Sequence, residues 1–516
     1  MPGWRRFLTP SLSDLVFISV IVWLFIAVSP GWDRLLGDGD TGWHIRVGES
    51  ILQTGSVPQT DPFSFSKAGA PWYAWEWLSE VVLAATHQHL GLKGVTLGAG
   101  VMVALFAVLL LRYMLWLGAT TLVAFLVTLL SVGAASIHYL ARPHLVTFVF
   151  LIGAIWALER DRRRPDKWIW ALVPLTIVWT NLHGGFLALF VCLGGLAAGS
   201  AIEGLIDPGI RQRRWRQVLR YSLLGTACAA ASVVNPYGIE LHRHIAAYVR
   251  SDWIKDVVAE FQSPSFRAEN VLQYEVLLLL GVMVAAWLLM RRRVVEAIWI
   301  LSWAHFSLTS ARHIPIFVIF AAPLAASELS RLWLKWPSVR NPRSAPGILQ
   351  QLSEDLSRGF ARTSAWPYLF VLLLLFGGAW LRFPADFPDN GFPVALISRN
   401  ADLIKSGRIL ADDDWADYLI YRFYPDQRVF MDGRTDFYGP EIGDKYMAAV
   451  YGKPGWSSVM EEYRFDLVLV PHRRALAALL KQDESWTIID SDKLGIVFVR
   501  RPEDTVARIG AQREDS

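Results

Sequence analysis

The 516-residue chain is short of charge and of cysteine. Only 19% of its residues are Asp, Glu, Lys or Arg, against about 25% in an average soluble domain. The shortage is uneven. Several stretches of about 16–24 residues carry almost no charge, and about 20 apolar residues suffice to cross ~30 Å of hydrocarbon. That excludes an ordinary soluble globular protein. The two cysteines, Cys192 and Cys228, both lie within apolar stretches, which leaves neither a disulfide framework nor zinc-type spacing. The net charge of +4 is spread over short loops and forms no patch for nucleic acid. The chain also has no glycine-rich nucleotide loop, no internal repeat and no low-complexity segment.

What is present is a polytopic pattern. The hydropathy predicts an α-helical membrane protein with about eleven spans, the first over 15–28 and the last over 366–381. Basic clusters recur at 5–7, 159–167, 211–220, 291–293 and 335–362. With about eleven spans, all of these fall on one face, which the positive-inside rule makes cytoplasmic. The N-terminal "MPGWRRFL" before an apolar run is expected to be an uncleaved signal anchor. The opposite face receives the first outer loop (32–93), shorter connections near 138–144, 181–186, 235–270 and 310–315, and everything after 381. Every one of these connections holds a histidine, arginine or carboxylate near a membrane boundary.

The expected domains are a transmembrane part, 1–383, and an extracytoplasmic α/β part, 384–516, with a charged, frayed tail after Pro502. In the second part, strand-like "RVFMDG", "FDLVLVP" and "GIVFVRR" alternate with helical patterns at 441–450, 456–463 and 475–482.

The first outer loop begins "LLGDGDTGWHIRVGE". Asp38 and Asp40 are candidates for a general base, or for ligands of a hard cation such as Mg²⁺ or Mn²⁺. The alternative is a tight turn followed by a helix capped by Asp40 or Thr41. His44 and Arg46 follow, facing either chemistry or lipid headgroups. The "HIRVGESILQTG" stretch is amphipathic, ends at Gly55 and is expected to lie at the membrane surface. Further on, Glu76 and Glu80 stand one helical turn apart on one face.

Other outer connections carry Arg142 with His144, and Arg312 with His313. Guanidinium forks suit phosphate, and single arginines also suit headgroup contact at an interface. Asn181 and His183 end an apolar span, either lining a cavity or cross-linking helices beside a Gly-Gly pair. Asp432, Arg434 and Asp436 form a polar turn that either fixes the domain or walls a cleft. Trp415 and Asp417 carry the same two readings. Glu260 has no distinguishing context.

"DGDTGWHIRVGE", "TDPFSF" and "WEWLSE" together resemble the first outer loop of bacterial GT-C-type membrane glycosyltransferases. "DDDWADYLIYRFYPDQRVFMDGRTD" is similar to the start of the soluble domain of oligosaccharyltransferase catalytic subunits, where a W-W-D-Y-G motif stands. Trp415, Asp417 and Tyr418 match that motif, and Ala416 and Leu419 depart from it.

The resemblance implies a sugar donor on a polyprenyl phosphate or pyrophosphate. It implies an extracytoplasmic glycan, lipid or protein acceptor, and transfer with inversion at a bacterial inner membrane. It casts Asp38 or Asp40 as the group that deprotonates the acceptor or orients it through a metal. Arg142, His144, Arg312 and His313 would offset the charge of the leaving phosphate. Two alternatives stay open: a transporter or flippase, and a noncatalytic cell-envelope assembly subunit.

Overall fold

In hydrocarbon, each backbone N–H and C=O must find its partner within the segment, so apolar runs fold as helices. The computed structural model, which describes residues 8–27, 31–268, 271–360, 364–376 and 383–501, follows that rule. Among the described residues, five helices are long and apolar enough to cross a membrane: Trp77–Trp116, Thr121–His138, Gly184–Ile206, Val271–Met290 and Ala311–Lys335. Three shorter apolar helices, Leu12–Ile26, Val294–Thr309 and Trp366–Phe376, lie at other expected spans. The N-terminal basic residues, the far ends of the first and last expected spans and the whole tail after 501 fall outside the described residues.

The chain packs as two units. The first comprises Met1–Trp32, Thr96–Ile245 and Lys255–Arg382 and is a helical bundle. Its basic clusters do more than mark orientation, because several are tied into the bundle by carboxylates. Arg220 holds Asp161 through two bonds of 2.8 Å. Buried Arg162 lies between Glu159 at 2.8 Å and Glu296 at 3.4 Å. Arg293 reaches Glu328 at 2.6 Å.

The second unit comprises Asp33–Val95, Ala246–Ile254 and Phe383–Ser516. The first outer loop therefore shares a unit with the C-terminal residues. A four-stranded sheet forms from β1 (Ile409–Ala411), β2 (Leu467–Pro471), β3 (Trp486–Ser491) and β4 (Gly495–Arg500). Its order is β1-β2-β4-β3. β1 runs parallel to β2 in the register Ile409↔Leu467, and the other two pairings are antiparallel. "FDLVLVP" and "GIVFVRR" supply β2 and β4 as expected. "RVFMDG" does not form a strand, because Val429 bridges single residues of two different segments, Ser64 and Ile409, and no ladder can grow.

Asp40–Thr54 is the helix of the first outer loop, ended by Gly55 in the left-handed region at φ 68°. One face of it is covered by the Asp413–Phe423 helix. Gly42 allows that approach: a Cβ there would stand 2.8 Å from Tyr421 Cβ and 3.1 Å from the Asp417 carbonyl oxygen. Arg46 Nε donates to the Tyr421 carbonyl at 2.7 Å and adds to the join. Asp40 is the first helical residue, not the cap. The N-cap is Gly39, and the Asp40 N–H donates to the side chain of the residue before it, Asp38 Oδ1, at 2.8 Å.

Candidate functional site

In the second unit, the helix pairing brings together carboxylates that are almost 400 residues apart in sequence. Asp40, in the first turn of its helix, accepts from Trp43 Nε1 at 3.0 Å through Oδ1. Asp417, on the facing helix, is 1% exposed and accepts the Gly433 N–H at 3.0 Å through Oδ1. A side chain at Gly433 would collide with both Asp40 Oδ1 and Asp417 Oδ2, so the glycine is what lets the two carboxylates meet. Asp417 Oδ2 is buried and makes no hydrogen bond among the described residues. Burial first, then the charges of Asp40 and Asp432, raise the Asp417 carboxyl well above the usual carboxylate range. Gly433 therefore stands against two carboxyl groups, and the one on Asp417 resists ionisation.

The loop carrying Gly433 is held by a different kind of contact. Arg434, buried at 3% exposure, donates to Asp432 through Nε at 2.8 Å and to Asp61 at 2.7 Å. Tyr438 OH donates to Asp432 at 2.7 Å. The guanidinium also lies over the rings of Trp72 and Phe63, at 4.6 and 4.9 Å. Here one fixed cation bridges two carboxylates, which makes Arg434 a positioning residue for the Gly433 turn. Asp61 lies in the "TDPFSF" motif, and its partnership with Arg434 had no local signal in the sequence.

His44 sits one turn along from Asp40. Its Nδ1 is 3.2 Å from Glu80 Oε1 and its Nε2 is 3.7 Å from Glu76 Oε2, with the ring stacked beside Trp43. The one-turn spacing of Glu76 and Glu80 therefore grips one imidazole.

The first unit holds a basic counterpart. Arg142 precedes the His144–Arg163 helix and reaches Glu260 Oε1 at 3.2 Å. His138 Nδ1 is 3.9 Å from the same oxygen. Arg312 lies over the Phe261 ring at 4.4 Å, and Ser310 Oγ donates to the Glu260 carbonyl at 3.0 Å. Burial opposes ionisation of Glu260. The nearby charges of Arg142, His138 and Arg312 outweigh it and hold the carboxyl at about 2.

His144 donates through Nε2 to the His138 carbonyl at 2.8 Å. Its ring lies 6.3 Å from that of His183. The Gly185 N–H donates to His183 Nδ1 at 2.9 Å, which places that imidazole's proton on Nε2. Arg142, Arg312, His144 and His183 thus converge, and Glu260 is the residue that ties them. Nothing in the local sequence of Glu260 distinguished it, because its role comes wholly from long-range packing.

Other candidates have structural places. Asn181 donates to the Ile177 and Val234 carbonyls, the helix cross-link anticipated as one of its two readings. His313 Nδ1 bonds the Phe306 carbonyl at 3.2 Å across the turn between two helices. Trp415 donates to the Gly391 carbonyl at 2.9 Å and packs on Gly495.

The expected metal centre at Asp38 and Asp40 is not completed. Asp40 and Asp417 offer hard oxygen donors of the type Mg²⁺ or Mn²⁺ takes. Among the described residues no three His, Cys, Asp or Glu side chains are grouped to hold an ion.

No family model and no curated protein matches this chain. Solved structures do. The oligosaccharyltransferase AglB of Archaeoglobus fulgidus, in complex with an inhibitory peptide and a dolichol-phosphate, superposes with a TM-score of 0.53 at 10% identity. That match covers 89% of this chain and 68% of the other. The chain has the fold of a GT-C-type membrane glycosyltransferase. ArnT of Cupriavidus metallidurans matches in its apo state and bound to undecaprenyl phosphate, each at TM-score 0.50 and 13% identity. Those matches cover 95% of this chain and 99% and 97% of the others. The likeness to both transferases is distant in sequence and extends over most of this chain.

Proposed function

We propose that the chain is a multi-pass glycosyltransferase that moves a sugar from a polyprenyl-phosphate-type donor to an extracytoplasmic acceptor hydroxyl. The observation that carries this is the Asp40–Asp417 pair, built from the first outer loop and the C-terminal residues of one unit, in a fold shared with lipid-linked sugar transferases. Asp40 takes the acceptor proton. The acceptor oxygen forms a bond to the anomeric carbon while the bond from that carbon to the phosphate oxygen breaks. The electron pair leaves with the phosphate, and a single displacement inverts the centre. Asp417, the neighbouring carboxyl, resists ionisation and leaves the role of base to Asp40. In the other unit, Arg142, Arg312, His144 and His183 form a cluster of a kind that suits a phosphate.

The same proposal places the chain in a bacterial inner membrane with about eleven spans and a cytoplasmic N-terminus. The C-terminal α/β residues then lie in the periplasm. The acceptor is a glycan, a lipid or a protein.

The test is transfer of a radiolabelled sugar from a synthetic polyprenyl-phosphate donor by the full-length protein in lipid nanodiscs. Asp40→Asn should abolish product at unchanged expression and folding. A cell-envelope phenotype that survives this substitution would instead mark a noncatalytic assembly subunit.

A further inference from the structure

A cavity of about 500 Å³ opens in the first unit, away from every residue discussed above. It lies where the Trp77–Trp116 and His144–Arg163 helices end, so it is at the opposite end of the latter helix from His144. Arg112, Trp116, Trp156, Ser357 and Glu354 are among its lining residues. Arg112 is the one charge in the apolar run "ALFAVLLLRYMLW". Among the described residues it is half-buried and has no hydrogen bond or ion pair with protein.

A guanidinium at the edge of hydrocarbon is costly without an anion, so an arginine without a protein partner that lines a cavity requires one from outside. The walls suit an amphiphile: Trp116 and Trp156 stand 6.0 Å apart, in a cluster with Tyr113. Aromatic rings of this kind sit at headgroup depth. The rim also carries a negative charge. Glu354, on the amphipathic Ala345–Phe360 helix, accepts from Gln350 through Oε1, and its exposed carboxylate adds a cation subsite. An anion alone would be repelled there, whereas a headgroup bearing both charges would be held at two points.

We propose that this cavity binds the headgroup of a zwitterionic phospholipid, with Arg112 on the phosphate, Glu354 on the ammonium and the two tryptophans beside the glycerol. The site is separate from the transfer chemistry and, on the proposed orientation, faces the cytoplasmic leaflet.

Native mass spectrometry of the full-length protein, titrated with phosphatidylethanolamine, phosphatidylglycerol and diacylglycerol, tests it. Phosphatidylethanolamine should bind at least about tenfold more tightly than phosphatidylglycerol, and diacylglycerol should not be retained. Arg112→Gln should weaken phosphatidylethanolamine about tenfold or more. Glu354→Gln, an exposed change that leaves packing intact, should erase the preference between the two phospholipids. Equal retention of phosphatidylethanolamine by wild type and Arg112→Gln would overturn the proposal. So would an unchanged preference in Glu354→Gln, which keeps the test decisive if Arg112→Gln fails to fold. Binding of soluble O-phosphoethanolamine as tight as that of the lipid would make the occupant a free phosphate, and the lipid assignment would fail.

Discussion

Asp417 and Glu260 are both buried carboxyls at the centre of a polar cluster, and their surroundings drive them in opposite directions. Asp417 faces further carboxylates, and burial with their charge raises its pKa well above the usual range. Glu260 faces Arg142, His138 and Arg312, and these cations overcome burial to hold it at about 2. The first arrangement stores a proton and the second stores a negative charge. The proposed transfer calls for a group that takes a proton and for groups that offset anionic charge, and the two clusters differ in just those respects. Arg434 is a third case. There one guanidinium ties two carboxylates at 2.7–2.8 Å, which suits structure rather than chemistry.

The sharpest way to break this division is at Arg434. Arg434→Leu leaves Asp61 and Asp432 buried without their cation, and removal of one partner from a buried ion pair costs about 3–5 kcal/mol. Thermal unfolding and limited proteolysis of the full chain should show loss of folded C-terminal residues. A variant that folds and melts like wild type would mean the contact is not structural.

Next come the two aspartates that stand against Gly433. Asp40→Asn should lower the transfer rate by roughly 10²–10⁴-fold, the usual contribution of a positioned general base. Asp417→Asn replaces a carboxyl that already keeps its proton with a neutral group of the same shape, so it should retain activity within about tenfold of wild type. If the two substitutions were reversed in severity, the roles assigned within the pair would be exchanged.

Their pH dependence differs too. An acid whose pKa is raised on folding destabilises the native state increasingly as pH climbs above its unfolded value near 3.8. Asp417→Asn should therefore match wild-type stability near pH 4 and exceed it near pH 9.

The clusters were legible in unequal measure. Asp38, Asp40, Trp415 and Asp417 stood out because they lie in short motifs, and the structure packs the two segments that carry them against each other. The helices were legible because charge is missing over membrane-length runs. The ladder of the small sheet was only partly so, since "RVFMDG" has strand composition but no continuous partner. Glu260 and Asp61 were not legible as partners of Arg142 and Arg434. Each is one acidic residue in a polar stretch, and its meaning comes from a contact with a residue over 100 positions away. Asp38 was legible as polar but was assigned the same role as Asp40, because spacing alone does not distinguish a residue ahead of a helix from the first one in it.

Glu260 gives the next effect in size. Its depressed pKa contributes stability that is complete above its ordinary value of 4.5 and disappears as pH falls toward about 2. Glu260→Gln should remove that acid limb, flattening the stability profile below pH 4.5 by on the order of 1–3 kcal/mol. It should also tighten binding of inorganic pyrophosphate, measured by calorimetry, because the carboxylate no longer competes for Arg142. Weaker pyrophosphate binding in Glu260→Gln would show that the glutamate orients the arginine for the anion instead of competing with it.

The smallest expected change separates the neighbouring aspartates of "GDGD". Asp38 Oδ1 accepts the Asp40 N–H, and an asparagine oxygen can accept the same bond. Asp38→Asn therefore keeps that bond and loses only its charge near a helix N-terminus, worth about 0.3–1 kcal/mol. Its melting temperature should shift slightly and its transfer rate should stay within a few-fold of wild type. A loss as large as that of Asp40→Asn would make Asp38 a reactant and would reopen the expected metal site.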